Sequence, residues 1–379
     1  MTHRLTAHEE RFLSLLRFAL FNTRVPEETF SEHDWEKQIH IAQEQSVIGI
    51  LYTAIEKLPV EKRPSKKLIL SLYATVSSIE EHNTNMNKGI CEVFPIYKSF
   101  GCTPLLLKGQ GVAANYPFPE RRMSGDMDIL LNDGFDKIHQ WVLDNGNKVA
   151  FCHPHYDKHQ GFFWKNLEIE NHFRLAQFYN KRLNKRLQQI ISTGLEMEKP
   201  LTIHLNGETI ELLPPTLGML HLLVHFSVHL VNWGIGFRQL CDMVMYMNSH
   251  YDKINKELLD DWLKQLDLRR ISGTVAAIAV TRMGLPMSRI PFTWRRDAVW
   301  SDALMAILFA SGNFGVKQIR KNGLFKSLLG RFGLFLQQSR QIYSFAPREI
   351  RSALAVRCKR KIRCWMRGEW TYRPKYIKE

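Results

Sequence analysis

The sequence of 379 residues predicts an α+β fold in which a small mixed β-sheet is flanked by N-terminal and C-terminal helical regions. Apolar residues recur at helical spacing in residues 1–98 and again in 214–311. Between them, residues 99–213 alternate between strand-like and helix-like patterns, which is typical of a sheet with covering helices. A glycine-containing junction at Gly312 begins a basic C-terminal segment, 312–379. We therefore expect four regions with these bounds.

The individual elements follow from local periodicity. In the N-terminal region, Phe12, Leu15, Leu16 and Ala19 fall on one helical face. The central region is predicted to contain a strand at Thr103–Lys108, a helix at Gly111–Tyr116, a strand at Asp126–Leu131, a helix at Phe135–Asn145, strands through Phe162–Phe173, a basic helix at Asn180–Ile191, and a hairpin at Leu201–Leu212 that turns at Asn206-Gly207.

Two carboxylates inside an apolar strand are the first chemical signal. Asp126 and Asp128 stand two residues apart, so the side-chain period of a strand points both to one face. Like charges this close repel and are costly to bury unless a cation lies between them. Mg²⁺ prefers carboxylates combined with substrate phosphates. A solvated turn or a calcium loop is the alternative, although Ile129–Leu131 supply none of the further side-chain oxygen donors that a calcium loop needs.

A strand ending in a Lys-Gly turn, Leu105–Gly109, followed by this Asp-x-Asp strand, resembles the polymerase-beta-like nucleotidyltransferase superfamily. The sequence also resembles an uncharacterised bacterial family within that superfamily, and this likeness extends over roughly residues 30–290. The other similar segments are Trp35–Ala42, Val47–Tyr52, Ile169–Leu175, Leu213–Leu217, Phe237–Asp242 and Asp261-Trp262. The resemblance implies a nucleoside triphosphate as substrate and divalent metal, Mg²⁺ or Mn²⁺, as cofactor.

The resemblance also implies roles for individual residues. The expected metal ligands are Asp126, Asp128 and a third acid, for which we choose Glu170, with Glu168 in reserve. The expected catalytic set is these three acids with Lys108, and the expected nucleotide contacts are Lys108, Gly109, Gly111, Ser124 and Arg122. Superfamily members often have Gly-Ser or Gly-Gly at the turn, whereas Gln110 follows Gly109 here, so hydroxyl help to the phosphates is absent at that position.

Several of these residues have a structural alternative. Lys108 and Arg122 are expected either to contact phosphates or to pair with the carboxylates and hold them apart. His221, His225 and His229 lie four apart on one predicted helical face and, with Cys241 or Asp242, have the residue types of a metal site. No CxxC or HExxH pattern accompanies them, so we expect these histidines to serve core packing.

Charge is concentrated at the C-terminus. The formal net charge is +15, and residues 312–379 hold 17 Lys and Arg against three acids, so they account for +14 of it. Aromatic residues interleave with these charges at Trp365, Trp370, Tyr372 and Tyr376. The segment is predicted to bind RNA or an anionic membrane surface, with a solvated tail or a basic helix packed on the body as the alternative.

No segment of about 18 uninterrupted apolar residues occurs, and the six cysteines lack metal-ligand spacing. The sequence therefore predicts a cytoplasmic protein, with peripheral membrane attachment as a second option. The expected function is metal-dependent transfer of a nucleoside monophosphate to an unknown hydroxyl acceptor, with release of pyrophosphate. Three rivals remain: a nucleotide-binding or regulatory module without catalysis, a toxin-like transferase that modifies tRNA, and a membrane-associated transferase.

Overall fold

The structure, a computed structural model, describes residues 5–131, 133–150, 158–232, 234–295, 298–312, 335–336, 339–366 and 376–378. Within them the chain forms a mixed α/β architecture, as predicted. The α-helices are α1 (Ala7–Phe21), α2 (Glu32–Glu44), α3 (Ile48–Lys57), α4 (Lys66–Ser99), α5 (Gln110–Ala113), α6 (Phe135–Asn145), α7 (Lys181–Met197), α8 (Pro215–Asn232), α9 (Phe237–His250), α10 (Lys256–Gln265), α11 (Arg269–Thr281), α12 (Ala298–Ser311) and α13 (Pro347–Met366). Short 3₁₀ turns lie at Val60–Lys62, Pro119–Arg121 and Met287–Arg289.

The strands are β1 (Pro104–Leu106), β2 (Met127–Leu131), β3 (Val149–Ala150), β4 (His159–Trp164), β5 (Leu167–His172), β6 (Thr202–Leu205), β7 (Glu208–Glu211) and β8 (Tyr376–Lys378). Four of them form one mixed sheet in the order β1-β2-β5-β4. The central pair, β2 and β5, is parallel, and each outer pair is antiparallel. Strands β6 and β7 form the predicted hairpin, and β3 pairs with β8.

Two-residue turns connect both hairpins. Asn206 and Gly207 have positive φ values of 47° and 89°, as the turn between β6 and β7 requires. Lys165 and Asn166, between β4 and β5, also have positive φ values, 48° and 65°. The β4–β5 turn was not predicted, because neither residue is a glycine. It sets the register in which His159 lies opposite His172.

The sheet separates two apolar cores. On one face, the odd-numbered residues of β2 pack with α4 and α6, where Ile90, Phe94 and Val142 are fully or almost fully buried. On the other face, Leu130 of β2 joins the large core that the helices before and after the sheet build together. Asp128 lies on this second face, as the alternation along the strand predicts. Helices therefore cover both faces of the sheet, and Asp128 is buried beneath one of these helical layers.

Helices α1 and α2 begin with side-chain caps. The Thr6 hydroxyl accepts a hydrogen bond from the Glu9 amide, and Glu9 Oε2 accepts one from the Thr6 amide at 2.7 Å. Ser31 and Asp34 form the same reciprocal arrangement before α2. Among the helices of the described ranges, none combines the length and apolar character needed to cross a bilayer.

Part of the basic C-terminal segment is packed against the helical body. Arg357 of α13 donates a hydrogen bond to Asn232 Oδ1 at 2.8 Å and lies over the Phe335 ring, with 3.9 Å between its Cζ and the ring centroid. Arg348 pairs with Asp267 at 3.7 Å. The aromatic side chains on which the RNA and membrane predictions depend lie outside the described side chains, so binding to RNA or membranes stays a prediction.

Contact between α3 and the turn before Arg122 gives a test of this packing. A Cβ added to Gly49 would overlap the backbone carbonyl of Arg121. We expect Gly49→Ala to lower the free energy of unfolding by about 1–3 kcal/mol, because backbone cannot swing aside as a side chain end can. Urea unfolding followed by circular dichroism measures it.

The matched control is Gly273→Ala in α11, where no atom lies within 4 Å of the added Cβ. Here alanine should raise the free energy of unfolding by up to about 1 kcal/mol through its better helix propensity. Equal effects of the two substitutions would contradict the packing described at Gly49.

Candidate metal and nucleotide site

Three acids meet on the face of the sheet that carries Asp128. Asp128 and Glu170 are partners in the register of the parallel strands β2 and β5. Strand β2 begins at Met127, one residue later than predicted, so Asp126 immediately precedes it. The Asp126 side chain lies on the same side of the sheet as Asp128 and Glu170. Carboxylate oxygens of Asp126, Asp128 and Glu170 all lie within 4.8 Å of one another. This is the set that the sequence predicted, and its oxygen-only donors match the preference of Mg²⁺ and Mn²⁺.

Lys108 lies beside these acids at the end of β1. Its Nζ is 2.9 Å from Asp128 Oδ2 and 3.7 Å from Asp126 Oδ2. Burial disfavours the ammonium, but the carboxylates of Asp128, Asp126 and Glu170 outweigh burial and raise the pKa of Lys108 above its ordinary value. The lysine is therefore positively charged at neutral pH and partly compensates the acids.

The carboxyl groups respond differently to this environment. Burial and the Asp128 charge raise the pKa of Asp126, although Lys108 opposes them. Burial also opposes the charged form of Asp128, but Lys108 and a hydrogen bond from His172 hold its pKa well below the usual range. The raised pKa of Asp126 thus reflects burial first and the neighbouring Asp128 charge second. A divalent cation beside these carboxylates would favour their charged forms.

Glu170 rather than Glu168 belongs to the acid cluster. Glu168 lies two residues earlier on the same face of β5 and is exposed. Burial and the charges of Asp126 and Glu170 raise the pKa of Glu168. Glu168 is therefore within electrostatic range of the cluster, but it is not one of the carboxylates that converge there. Glu170 Oε2 is 3.3 Å from His172 Nε2, and that hydrogen bond lowers the pKa of Glu170 against the effect of burial.

Two histidines and a lysine that were not assigned to the site from the sequence also face these acids. His172 Nε2 is 2.8 Å from Asp128 Oδ1, and His159 Nδ1 is 3.2 Å from Glu170 Oε2. Burial lowers the pKa of His159 to about 4. Lys158 is partly buried nearby, and burial together with the Lys108 charge lowers its pKa. The two-residue turn after β4 is the sequence signal that would have placed His159 here.

The turn after Lys108 has the predicted backbone but different glycine roles. Gly109 adopts φ +63°, a region that favours glycine, and a Cβ there would lie 3.7 Å from the Asp126 carbonyl oxygen. Gly111 makes room for a neighbour, because a Cβ there would come within 2.8 Å of the Leu212 side chain. Its amide donates to the Lys108 carbonyl at 3.3 Å. Contact between either glycine and a phosphate stays a prediction.

Arg122 lies in a buried ion pair with Asp242 of α9. Its Nε and Nη2 donate to the two carboxylate oxygens at 2.7 Å each, and the Tyr116 hydroxyl donates to Asp242 Oδ1 at 2.7 Å. Burial opposes the charged form, but Asp242 raises the pKa of Arg122 further above its ordinary value. Both charged groups are thus paired, which fastens the irregular segment before Asp126 to the helical body. Contact of Arg122 with substrate stays a prediction.

Ser124 belongs to a polar cluster under α4. Its hydroxyl donates to Gln110 Oε1 at 3.0 Å and also contacts Asn83 Oδ1. Asn83 is fully buried in the middle of α4 and donates to the Arg122 carbonyl at 2.8 Å. Gln110 in turn donates to Asn87 Oδ1 at 2.9 Å. These bonds place Ser124 in the support of the loop before Asp126.

The three histidines of α8 are partly or fully buried behind the site, and the two rings of each consecutive pair lie 6.2 Å and 4.2 Å apart. The potential metal sites found among the described residues do not include them. Burial, reinforced by the Lys108 charge, lowers the pKa of His221 to about 3. His221 is therefore neutral at neutral pH, in agreement with the packing role expected for it.

A mixed sheet with three convergent acids, a lysine at a glycine turn and helical layers on both sides defines a class of site whose carboxylates could hold a metal ion and whose lysine suits a phosphate. The comparison with protein families agrees with this class. The model of the family described as uncharacterised nucleotidyltransferase matches residues 31–284, which is most of the chain, and the protein belongs to that family. No curated protein and no solved structure matches the chain.

The buried His221 predicts a pH dependence of stability. Its pKa is about 3 in the folded protein and about 6.5 in the unfolded chain, so the unfolded chain binds more protons between these values. The contribution of His221 to the free energy of unfolding is therefore fully present above about pH 6.5 and is lost as the pH falls toward 3. Between pH 7.5 and 5, protonation of this group in the unfolded chain should lower the free energy of unfolding by at most about 2 kcal/mol.

Chemical unfolding of the wild type and His221→Asn at both pH values measures this term. The variant should lose less stability on acidification, whatever its stability at pH 7.5. His40→Asn, at an exposed position of α2, is the matched control. An acid-induced loss that is the same in all three proteins would rule out the buried neutral histidine as a cause.

Proposed function

We propose that this protein is a metal-dependent nucleotidyltransferase that moves a nucleoside monophosphate from a nucleoside triphosphate to a hydroxyl acceptor and releases pyrophosphate. The observation that carries the proposal is the pairing of Asp128 with Glu170 across parallel strands, with Asp126 and Lys108 beside them. Membership of the nucleotidyltransferase family supports the same chemistry. The substrates that fit are a nucleoside triphosphate and an acceptor that presents a hydroxyl group.

The acids fit a divalent metal, and Mg²⁺ or Mn²⁺ is the ion that their oxygen donors favour. Asp126, Asp128 and Glu170 would hold it. When bound, the metal supplies Lewis acidity toward the α-phosphate and lowers the pKa of the acceptor hydroxyl. The convergence of three carboxylates within 4.8 Å of one another supports the assignment, because hard oxygen ligands at this spacing suit a divalent ion.

Lys108 and Gly109 are proposed to bind and orient the triphosphate. Lys108 keeps its charge and is proposed to bind the triphosphate, where it stabilises the charge that develops on the departing pyrophosphate. Gly109 allows the backbone to approach the phosphates. In the reaction, the acceptor oxygen bonds to the α-phosphorus, and the bond from that phosphorus to the oxygen that bridges it to the β-phosphorus breaks. Pyrophosphate leaves with that bridging oxygen, and the hydroxyl proton of the acceptor passes to solvent.

We propose that Arg122 and Ser124 also hold the segment before β2 in place. Arg122 is engaged by both oxygens of Asp242, and Ser124 is engaged by Gln110 and Asn83. Both residues lie in the segment that enters β2, so their bonds fix the position of Asp126. A loose segment would separate the carboxylates and weaken metal binding.

Transfer chemistry is tested with a panel of α-labelled nucleoside triphosphates in host-cell extract, with Mg²⁺ or Mn²⁺. We expect a labelled product with the wild type and none with Asp126→Asn/Asp128→Asn, whose side chains keep the size of aspartate. The nuclease or protease sensitivity of the product identifies the acceptor class. Binding of nucleotide and metal without any transfer of label would instead make the protein a nucleotide-binding module.

The choice of third acid is tested by Glu170→Gln against its neighbour on the same strand face, Glu168→Gln. Glu170→Gln should lower the rate of label transfer by at least about a hundredfold, because the amide removes a charge from the metal site. Glu168→Gln should change the rate by about twofold or less, as expected of an exposed side chain. The reverse order of effects would overturn the assignment of Glu170.

A further inference from the structure

The far side of Glu170, away from Asp126, is lined by imidazoles. Strands β4 and β5 pair in a register that places His159 directly opposite His172. Their ring centroids are 4.9 Å apart, so both rings lie on the same face of the sheet. Glu170 stands two residues before His172 on that face. Two imidazoles and a carboxylate therefore converge beside the oxygen-only cluster.

The distances among these three groups suit a metal ion. Glu170 Oε2 is 3.2 Å from His159 Nδ1 and 3.3 Å from His172 Nε2. One ligand atom from each residue lies within 4.8 Å of the other two. Ligands about 2.1 Å from a tetrahedral Zn²⁺ ion lie about 3.4 Å from each other. The two contacts to Glu170 are thus already near the spacing that a shared ion requires.

The ring nitrogens of His159 and His172 are incompletely hydrogen-bonded, as ligands of a cation would be. His172 Nε2 faces carboxylate oxygens of Asp128 and Glu170, and its Nδ1 faces the Arg174 carbonyl at 3.4 Å. Nε2 carries at most one N–H group, which has to serve both carboxylates. Within the described part of the chain, the buried nitrogen His159 Nδ1 makes no hydrogen bond of acceptable geometry. The His159 side chain as a whole is 29% exposed, so the cluster lies close to the protein surface.

We propose that His159, Glu170 and His172 form a second metal-binding site, which takes an imidazole-preferring transition metal such as Zn²⁺ and shares Glu170 with the acid cluster. Imidazole nitrogen is a poor ligand for Mg²⁺ and a good one for zinc. The two neighbouring clusters therefore select different ions by donor type. Binding of the ion displaces any proton on the coordinating nitrogens, so it should release protons to solvent. The site does not require that nucleotide transfer takes place.

The experiment is zinc titration of the full-length, chelator-treated protein against a chromophoric competing chelator in excess Mg²⁺. The variants are His159→Ala, the exposed-histidine control His40→Ala, and Asp126→Asn, which alters only the oxygen cluster. We expect one strong zinc site in the wild type. His159→Ala should weaken it at least about tenfold, whereas His40→Ala and Asp126→Asn should leave it within about threefold.

Co²⁺ supplies a readout independent of affinity, because its visible spectrum reports nitrogen ligands. The spectrum of the bound ion should change in His159→Ala and stay unchanged in Asp126→Asn. Zinc affinity and cobalt spectra that are the same in the wild type and His159→Ala would overturn the proposal. Because every measurement is made without nucleotide, failure of the zinc site and failure of nucleotidyl transfer are separate results.

Discussion

The concentration of negative charge at one place on the sheet is the constraint on which the surrounding structure depends. Asp128 is almost fully buried, and Glu170 lies beside it across the parallel strands. Burying these charges is tolerable only because Lys108 and His172 lie at bonding distance from Asp128. The turn after β1 delivers the lysine, and the register of β4 and β5 delivers the imidazoles. Each strand of the sheet, or the turn that follows it, therefore places a polar or charged side chain beside this cluster.

A second set of buried polar contacts keeps this arrangement in place from behind. The Arg122–Asp242 pair ties the segment before β2 to α9, and Asn83 holds the same segment against α4. The helical layers thus serve the site as well as the core. Their contribution is rigidity, since small displacements of Asp126 relative to Asp128 would change the spacing of the carboxylates. This explains why an elaborate helical body surrounds a sheet of only four strands.

Local patterns in the sequence predicted the parts of the fold that depend on neighbours along the chain. Helix α6 spans Phe135–Asn145, as predicted, and the Asn206-Gly207 hairpin forms. The acids at 126, 128 and 170 were predicted from strand periodicity and family resemblance, and they meet. The partner of Arg122 was not predicted, because Asp242 lies 120 residues away. His159 was missed because β4 begins three residues before the predicted strand, where the apolar alternation gives no signal.

The turn at Lys165-Asn166 has a consequence for the kinds of change this chain tolerates. A strand has a side-chain period of two, so a shift of one residue in the pairing of β4 with β5 would turn every β4 side chain to the opposite face. His159 would then leave the face it shares with His172, although its own residue and all its neighbours in sequence were unchanged. That turn lies about 13 Å along β5 from Glu170. Its length is therefore under as strict a constraint as the identity of the residues in the site. Substitutions that keep the positive φ values of the turn are permissible where a single insertion or deletion is not.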